Sequence, residues 1–260
     1  MADTYEELIG YVNRTEHPAF LIPMFQKVGV NGMMIKDHGG PGFTNLEQGA
    51  IIFEVAKSDA SVATMILVHN AIGTAVISEL GDEEQRARML KDAINMDKVA
   101  CFGLTEPTNG SDATGMLTTA TKTEGGWLLN GRKRWIGNAT FADYITVWAK
   151  NTNDGNKVQG FVVEPKKTKS GLKISKIENK YSLRLVQNAD IEMKDVFVPD
   201  NNKLTKATNF ATGTNVILES SRLGVAWMVA GVGCGAYEAA LKYCLKRNQF
   251  GRPIAKFQLI

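Results

Sequence analysis

The hydrophobic period of this chain changes twice, and those changes constrain the fold more than any other feature. Up to about residue 97, apolar residues recur at helical spacing. From Val99 to about Leu204 they come instead as short β-branched and aromatic runs, and after Asn209 the helical period returns. A block of strands between two helical regions predicts an α+β multidomain chain. We expect an N-terminal helical domain over 1–97 and a central antiparallel β-barrel or sandwich domain over 98–209. Residues 210–260 read as the start of a C-terminal helical bundle, incomplete in this sequence.

The local signals are specific enough to place elements. Residues 48–63 carry Ile51, Ile52, Val55 and Val62 near helical spacing, residues 60–80 read as a buried helix, and residues 83–94 form a further helix with Asp82 as N-cap. The string HGGPGF at 38–43 breaks the pattern as a loop. Strands are expected over 127–130 and 133–136 with a turn at Gly131, then over 144–149, 158–164, 173–177 and 189–198. The turn-rich NTNDGN at 151–156 separates two of them. Residues 216–247 predict one unusually long helix whose small residues suit packing within a bundle. Gly231, Gly233 and Gly235 imitate a dinucleotide fingerprint, but no strand precedes them; close helix packing explains them better.

Composition excludes several function classes. A net charge of +3 is too small to argue for nucleic acid, and suits an anionic ligand only weakly. Cys101, Cys234 and Cys244 form no disulfide framework, which fits a reducing compartment. His17, His38 and His69 are scattered, so no metal site is expected. The acidic N-terminus MADTYEELIG resembles neither a signal nor a transit peptide, and we expect no membrane span. The sequence stops at FGRPIAKFQLI without a helix-stop signal, which reads as a truncated chain.

The segment 102–112, FGLTEPTNGSD, is dense in hydroxyls and amides, with Gly110 where backbone can approach a ligand closely. Such a loop suits a phosphate or a polar heteroaromatic edge, and an ordinary surface turn has the same composition. This string resembles the flavin-binding loop of the acyl-CoA dehydrogenases and acyl-CoA oxidases. The resemblance continues through WIGN at 135–138, Arg184 in LRLVQN, Val198–Pro199, Arg222, Arg247 in RNQFG and Gln258 in FQL, over nearly the whole chain. Within that family the plant-type short-chain acyl-CoA oxidases and the glutaryl-CoA dehydrogenases look most similar.

The resemblance implies FAD as cofactor and an acyl-CoA thioester as substrate. Phe102, Gly103, Leu104, Thr105, Gly110 and Ser111 would line the flavin, with Trp135, Ile136 and Gly137 along its other edge. Arg247 and Gln258 would reach the FAD of a neighbouring subunit, so a homo-oligomer, dimer or tetramer, is implied. Ala63, Thr64, Ser111, Leu218, Ser221 and Arg222 would meet the acyl-CoA.

The implied reaction is α,β-dehydrogenation to a trans-2-enoyl-CoA. No catalytic base is assigned, because most relatives carry it as a glutamate beyond the position matching Ile260. A minority place it before the arginine matching Arg222, where this chain has Ser221; nearby Glu219 reads as a solvated residue. Ala63 stands where glutaryl-specific relatives hold a carboxylate with an arginine, which favours a short monocarboxylic chain. Gly137 replaces a hydroxyl residue beside the flavin, which favours oxygen as acceptor over electron-transfer flavoprotein. The mitochondrion and the peroxisome are both compatible. Glutaryl-CoA dehydrogenation, a non-catalytic flavin- or CoA-binding module, and a structural protein of mixed helix and sheet remain the competing readings.

Overall fold

The structure is a computed structural model that describes residues 9–11, 16 and 19–260. Its helical region contains α1 (Leu21–Val28), α2 (Asn45–Ser58), α3 (Ala60–Leu67), a π-helical stretch (Val68–Thr74), α4 (Ala75–Leu80) and α5 (Glu83–Ile94). The helix expected over 48–63 is broken at Asp59. That residue is extended, and its carboxylate accepts from Val62 N at 2.9 Å, so it caps α3 rather than continuing α2. The cap at Asp82 is as expected, and Gln85 closes a capping box with it. Residues 38–43 form the expected loop, with Gly39 and Gly42 at positive φ. Most of the N-terminal string MADTYEELIG, and His17, lie outside the described residues.

The central region is one curled seven-stranded sheet. Its strands are β1 (Ala100–Gly103), β2 (Thr119–Thr123), β3 (Gly126–Ile136), β4 (Tyr144–Asn151), β5 (Lys157–Val163), β6 (Leu172–Lys176) and β7 (Ala189–Pro199). The order is β1-β4-β2-β3-β7-β6, with β5 on β4. The expected antiparallel pairing holds for β2–β3, β3–β7, β4–β5 and β6–β7. The sheet is nevertheless mixed, because β1 and β2 each run parallel to β4. Gly131 is not a turn. It sits at a register shift inside β3, with φ +145° and Thr118 where a side chain would go.

β1 joins the two regions. Ala100 and Phe102 belong to the core shared with α4 and α5, whereas Cys101 faces the core of the curled sheet. His69, on the π-helical stretch, fastens this junction: its Nδ1 accepts from Ala100 N at 3.1 Å, and its Nε2 lies 2.9 Å from Ala93 O. His38 is on the outside, 3.8 Å from Glu83.

A π-helical turn (Ala211–Asn215) opens onto α6 (Val216–Lys246), the long helix expected from the sequence. The small residues of α6 set its packing. Gly224 abuts Leu67, Gly231 abuts the Phe53 carbonyl and Gly235 the Lys57 carbonyl, while Trp227 presses on Gly49. The glycine triplet is only partly a packing device, because Gly233 faces open space. A short hairpin, β8 (Asn248–Gln249) and β9 (Arg252–Pro253), follows.

The sequence was expected to hold no membrane span. Two stretches, Ala60–Leu80 and Ala211–Lys246, are long and apolar enough by length and composition. The first is 72% buried inside the protein, as a core helix would be, and the second 17%. Their apolarity comes largely from Ala, Val, Ile and Gly spaced among few charges, which no single uninterrupted run reveals.

Candidate functional site

The loop after β1 is organised from beneath by a buried ion pair. Glu106 and Lys133 are almost fully buried, with Lys133 Nζ 2.9 Å from Glu106 Oε1. The carboxylate also accepts from Leu117 N at 2.6 Å and from the backbone and hydroxyl of Thr118. Lys133 further donates to Leu104 O at 2.9 Å. Burial opposes ionisation of Glu106, but these donors and the Lys133 charge hold it below the usual carboxylate range. Burial pushes Lys133 down to about 8, against the pull of Glu106. The start of the segment is thereby tied to β3, and Leu117 and Thr118 are held by the same carboxylate.

The crest of the loop stays open. Asp112 turns inward to accept from Gly115 N, and Glu106 N donates to Asn109 O, so part of the polarity is spent on folding the loop. Gly110 and Ser111 are exposed, and nothing lies within 4 Å of where a Gly110 side chain would stand. Thr105 is half-buried, and its carbonyl accepts from Arg134 N at 2.8 Å. That bond sets the loop beside the end of β3.

There the strand is irregular. A register shift between Lys133 and Ile136 turns Trp135 outward, half exposed, with φ +62°. A bulky residue in left-handed backbone is strained, and such strain persists only where surroundings impose it. Arg134 lies over the indole at 5.1 Å, and Asn188 Nδ2 donates to Trp135 O at 3.0 Å. Ile136 is buried. Gly137 follows, flanked by Val68 and Val186. Asn138, also at positive φ, donates to Met65 O at 3.0 Å, while its Oδ1 is buried without a hydrogen-bond partner. Loop, bulge and the α3 end therefore meet at one place.

The remaining sequence-derived candidates divide. Ala63 is fully buried in α3, and Thr64 Oγ1 donates to Ala60 O and lies 3.3 Å from Met228 Sδ on α6. Leu218 packs against the core that holds Phe102 and Leu104 borders. Ser221 donates back to Leu218 O, and Arg222 is exposed on α6. Arg247 and Gln258 are exposed beyond the far end of that helix. At 1.5 Å per residue, Arg222 and Arg247 are about 37 Å apart along it.

Sequence reasoning left Glu106 and Lys133 without a role. A signal was present: counting by twos from Trp127 and Leu129 puts Lys133 on the inward face of β3, where a lysine needs a buried anion. Two surface clefts, of about 510 and 470 Å³, lie elsewhere, around Asn31 and Asp97 and around Glu164 and Phe197.

The chain resembles known proteins over nearly its whole length. The sequence models of the acyl-CoA dehydrogenase N-terminal, middle and C-terminal domains match residues 2–97, 101–196 and 212–260. The benzylmalonyl-CoA dehydrogenase of Aromatoleum aromaticum is 32% identical over 94% of this chain and 64% of its own length. The caffeyl-CoA reductase–Etf complex subunit CarC of Acetobacterium woodii is 35% identical over 94% of this chain and 65% of itself. A glutaryl-CoA dehydrogenase from Mycobacterium smegmatis, solved in complex with FADH2, superposes with a TM-score of 0.90 at 30% identity, covering 96% of this chain and 63% of that one. The chain thus spans just under two thirds of the length of these relatives, and over that span it belongs to the acyl-CoA dehydrogenase family.

Proposed function

We propose that this chain is the flavin- and CoA-ester-binding part of an enzyme that dehydrogenates a short monocarboxylic acyl-CoA to its trans-2-enoyl-CoA. The observation that carries the reading is the junction of loop and bulge. Thr105 is bonded to Arg134, which sets the open crest at Gly110 and Ser111 beside the strained Trp135. That junction fits FAD. Gly110 leaves space for close approach, Trp135 offers an exposed aromatic face, and Gly137 sits between aliphatic side chains. FAD, when bound, supplies the acceptor for the hydride removed from the substrate.

The residues would divide the remaining work. Phe102, Gly103, Leu104 and Thr105 would line the flavin, with Trp135, Ile136 and Gly137 along its other edge. Ser111, exposed on the crest, would meet both the cofactor pyrophosphate and the acyl chain, and Arg222 is an exposed cation suited to a CoA phosphate. Ala63 contributes no charge to hold a distal carboxylate, which supports a monocarboxylic substrate over glutaryl-CoA. Arg247, about 37 Å along α6 from Arg222, and Gln258, beyond the short hairpin, would serve the FAD of a second copy in a homo-oligomer.

Two electron acceptors are compatible with the family. Electron-transfer flavoprotein is favoured by the Etf-complex relative. Oxygen is favoured by Gly137, which leaves an edge walled by Val68 and Val186 and bare of a hydroxyl. The test is to add FAD to the purified chain and record its visible spectrum before and after butyryl-CoA and glutaryl-CoA. A bound-flavin spectrum perturbed by butyryl-CoA alone is expected. Failure to retain flavin at any concentration tested would overturn the proposal.

A further inference from the structure

We infer that Lys180 is a positioning residue for Trp135, acting through Asn188; the inference rests on the reading of Trp135 as a wall of the flavin site. The segment between β6 and β7 has no regular structure, and Asn179 and Leu183 within it are at positive φ. Its ends are joined by Ile177 N donating to Asn188 O at 2.9 Å. A loop of this kind needs something at its centre to choose one conformation, because its backbone carbonyls are not satisfied by a neighbouring strand. Lys180 supplies it. Its ammonium turns inward and donates to Leu183 O at 2.7 Å, Val186 O at 2.6 Å and Asn188 Oδ1 at 2.6 Å. An ammonium has three donors, and all three are used.

The third bond fixes the Asn188 amide. With Oδ1 held by Lys180, Nδ2 points away and donates to Trp135 O at 3.0 Å. The alternative amide orientation would set two donors against each other at Lys180 and two acceptors against each other at Trp135. Lys180 therefore decides which way Asn188 faces, and Asn188 holds the carbonyl of a residue whose backbone is strained. The backbone next to Asn188 supports the same geometry, since Ala189 pairs with Ile136 across the register shift. Val186, held by the second Lys180 bond, also flanks Gly137. One cation thus governs both Trp135 and the wall beside Gly137, from outside the site.

The test uses the full chain labelled with 5-fluorotryptophan, whose four tryptophans give separate ¹⁹F signals. Trp135→Phe identifies the relevant one. In Lys180→Met we expect the Trp135 signal alone to shift or split, without and with FAD. The FAD dissociation constant should rise about tenfold, as expected when a charge-assisted hydrogen bond no longer favours the bound geometry. Asn188→Ala should reproduce both effects, and the double variant should be no worse than the worse single one. A Lys180→Met protein with lowered thermal stability but an unmoved Trp135 signal would make Lys180 merely structural and sink the inference. Additive effects of the two substitutions on FAD affinity would also sink it. If Lys180→Met does not fold, Asn188→Ala and Lys180→Arg carry the same readout. Wild-type protein that binds no FAD would overturn the functional reading instead, while the apo ¹⁹F signal still decides the Lys180 relay.

Discussion

At the scale of single residues, Gly137 and His69 lead to predictions of different kinds. A side chain at 137 would find Val68 and Val186 at 3.4 and 3.5 Å, an ordinary contact, and the backbone there is not left-handed. Gly137→Ser should therefore fold. If the bare aliphatic wall is what admits oxygen, a hydroxyl hydrogen-bonded to the flavin edge should slow reoxidation of the reduced flavin by about tenfold. Anaerobic photoreduction followed by mixing with air reads this, and an unchanged rate would count against oxygen access at Gly137. His69 concerns stability. Burial pushes its imidazole from 6.5 down to about 4, against the hydrogen bond between Nε2 and Ala93 O. In the unfolded chain the ring takes up a proton as pH falls below 6.5, while the folded protein resists until about 4. Stability is thus greatest above 6.5 and falls through this window, by about 3 kcal/mol in all. Urea denaturation at pH 7.5 and 4.5 should show a smaller difference for His69→Gln, which can make the same two hydrogen bonds without titrating. Equal pH dependence in the two proteins would refute the assignment.

At the scale of elements, the contact of α6 with α2 separates three glycines that look alike in sequence. Gly231 and Gly235 lie against backbone carbonyls of Phe53 and Lys57, so a methyl group there must push two helices apart. Gly231→Ala and Gly235→Ala should each destabilise by about 1–3 kcal/mol. Gly233→Ala meets open space and should stabilise by about 0.5–1 kcal/mol through helix propensity. Denaturant midpoints of the three variants decide it, and a destabilising Gly233→Ala would be inconsistent with the packing. The sequence shows why such distinctions are hard to foresee. The Asp82 cap was legible because the capping box is written within four residues. The break at Asp59 was not, since the apolar spacing runs on through it and only the tertiary path decides between cap and continuation. Gly131 looked like a turn because glycine serves turns and close backbone approaches alike; it lies within β3, where Thr118 leaves no room for a side chain. The loop at 102–112 was legible as a family motif. What holds it was not, because Glu106 and Lys133 are 27 residues apart and meet only when β3 curls under the loop.

At the scale of the whole molecule, the question is whether the chain can begin the proposed dehydrogenation. Proton removal next to a thioester needs a carboxylate that is accessible and not already committed. Glu106 is a carboxylate within the loop of the proposed ring site, and it fails on both counts. It is buried, accepts from Leu117, Thr118 and Lys133, and is held below the usual carboxylate range, which makes it a weak base. Glu219 is exposed, three residues before Arg222 on one face of α6, and is the remaining candidate on that helix turn. If neither acts, the chain loaded with FAD should bind butyryl-CoA, shift the flavin spectrum and leave the flavin oxidised. Lack of a positioned base costs about 10²–10⁴ in rate, so anaerobic bleaching should take hours rather than seconds. Stopped-flow mixing without oxygen measures this directly. Rapid bleaching abolished by Glu219→Gln would identify Glu219 as the base. Rapid bleaching unaffected by that change would place the base elsewhere in this chain, and would mean that the segment binding the flavin also starts the chemistry.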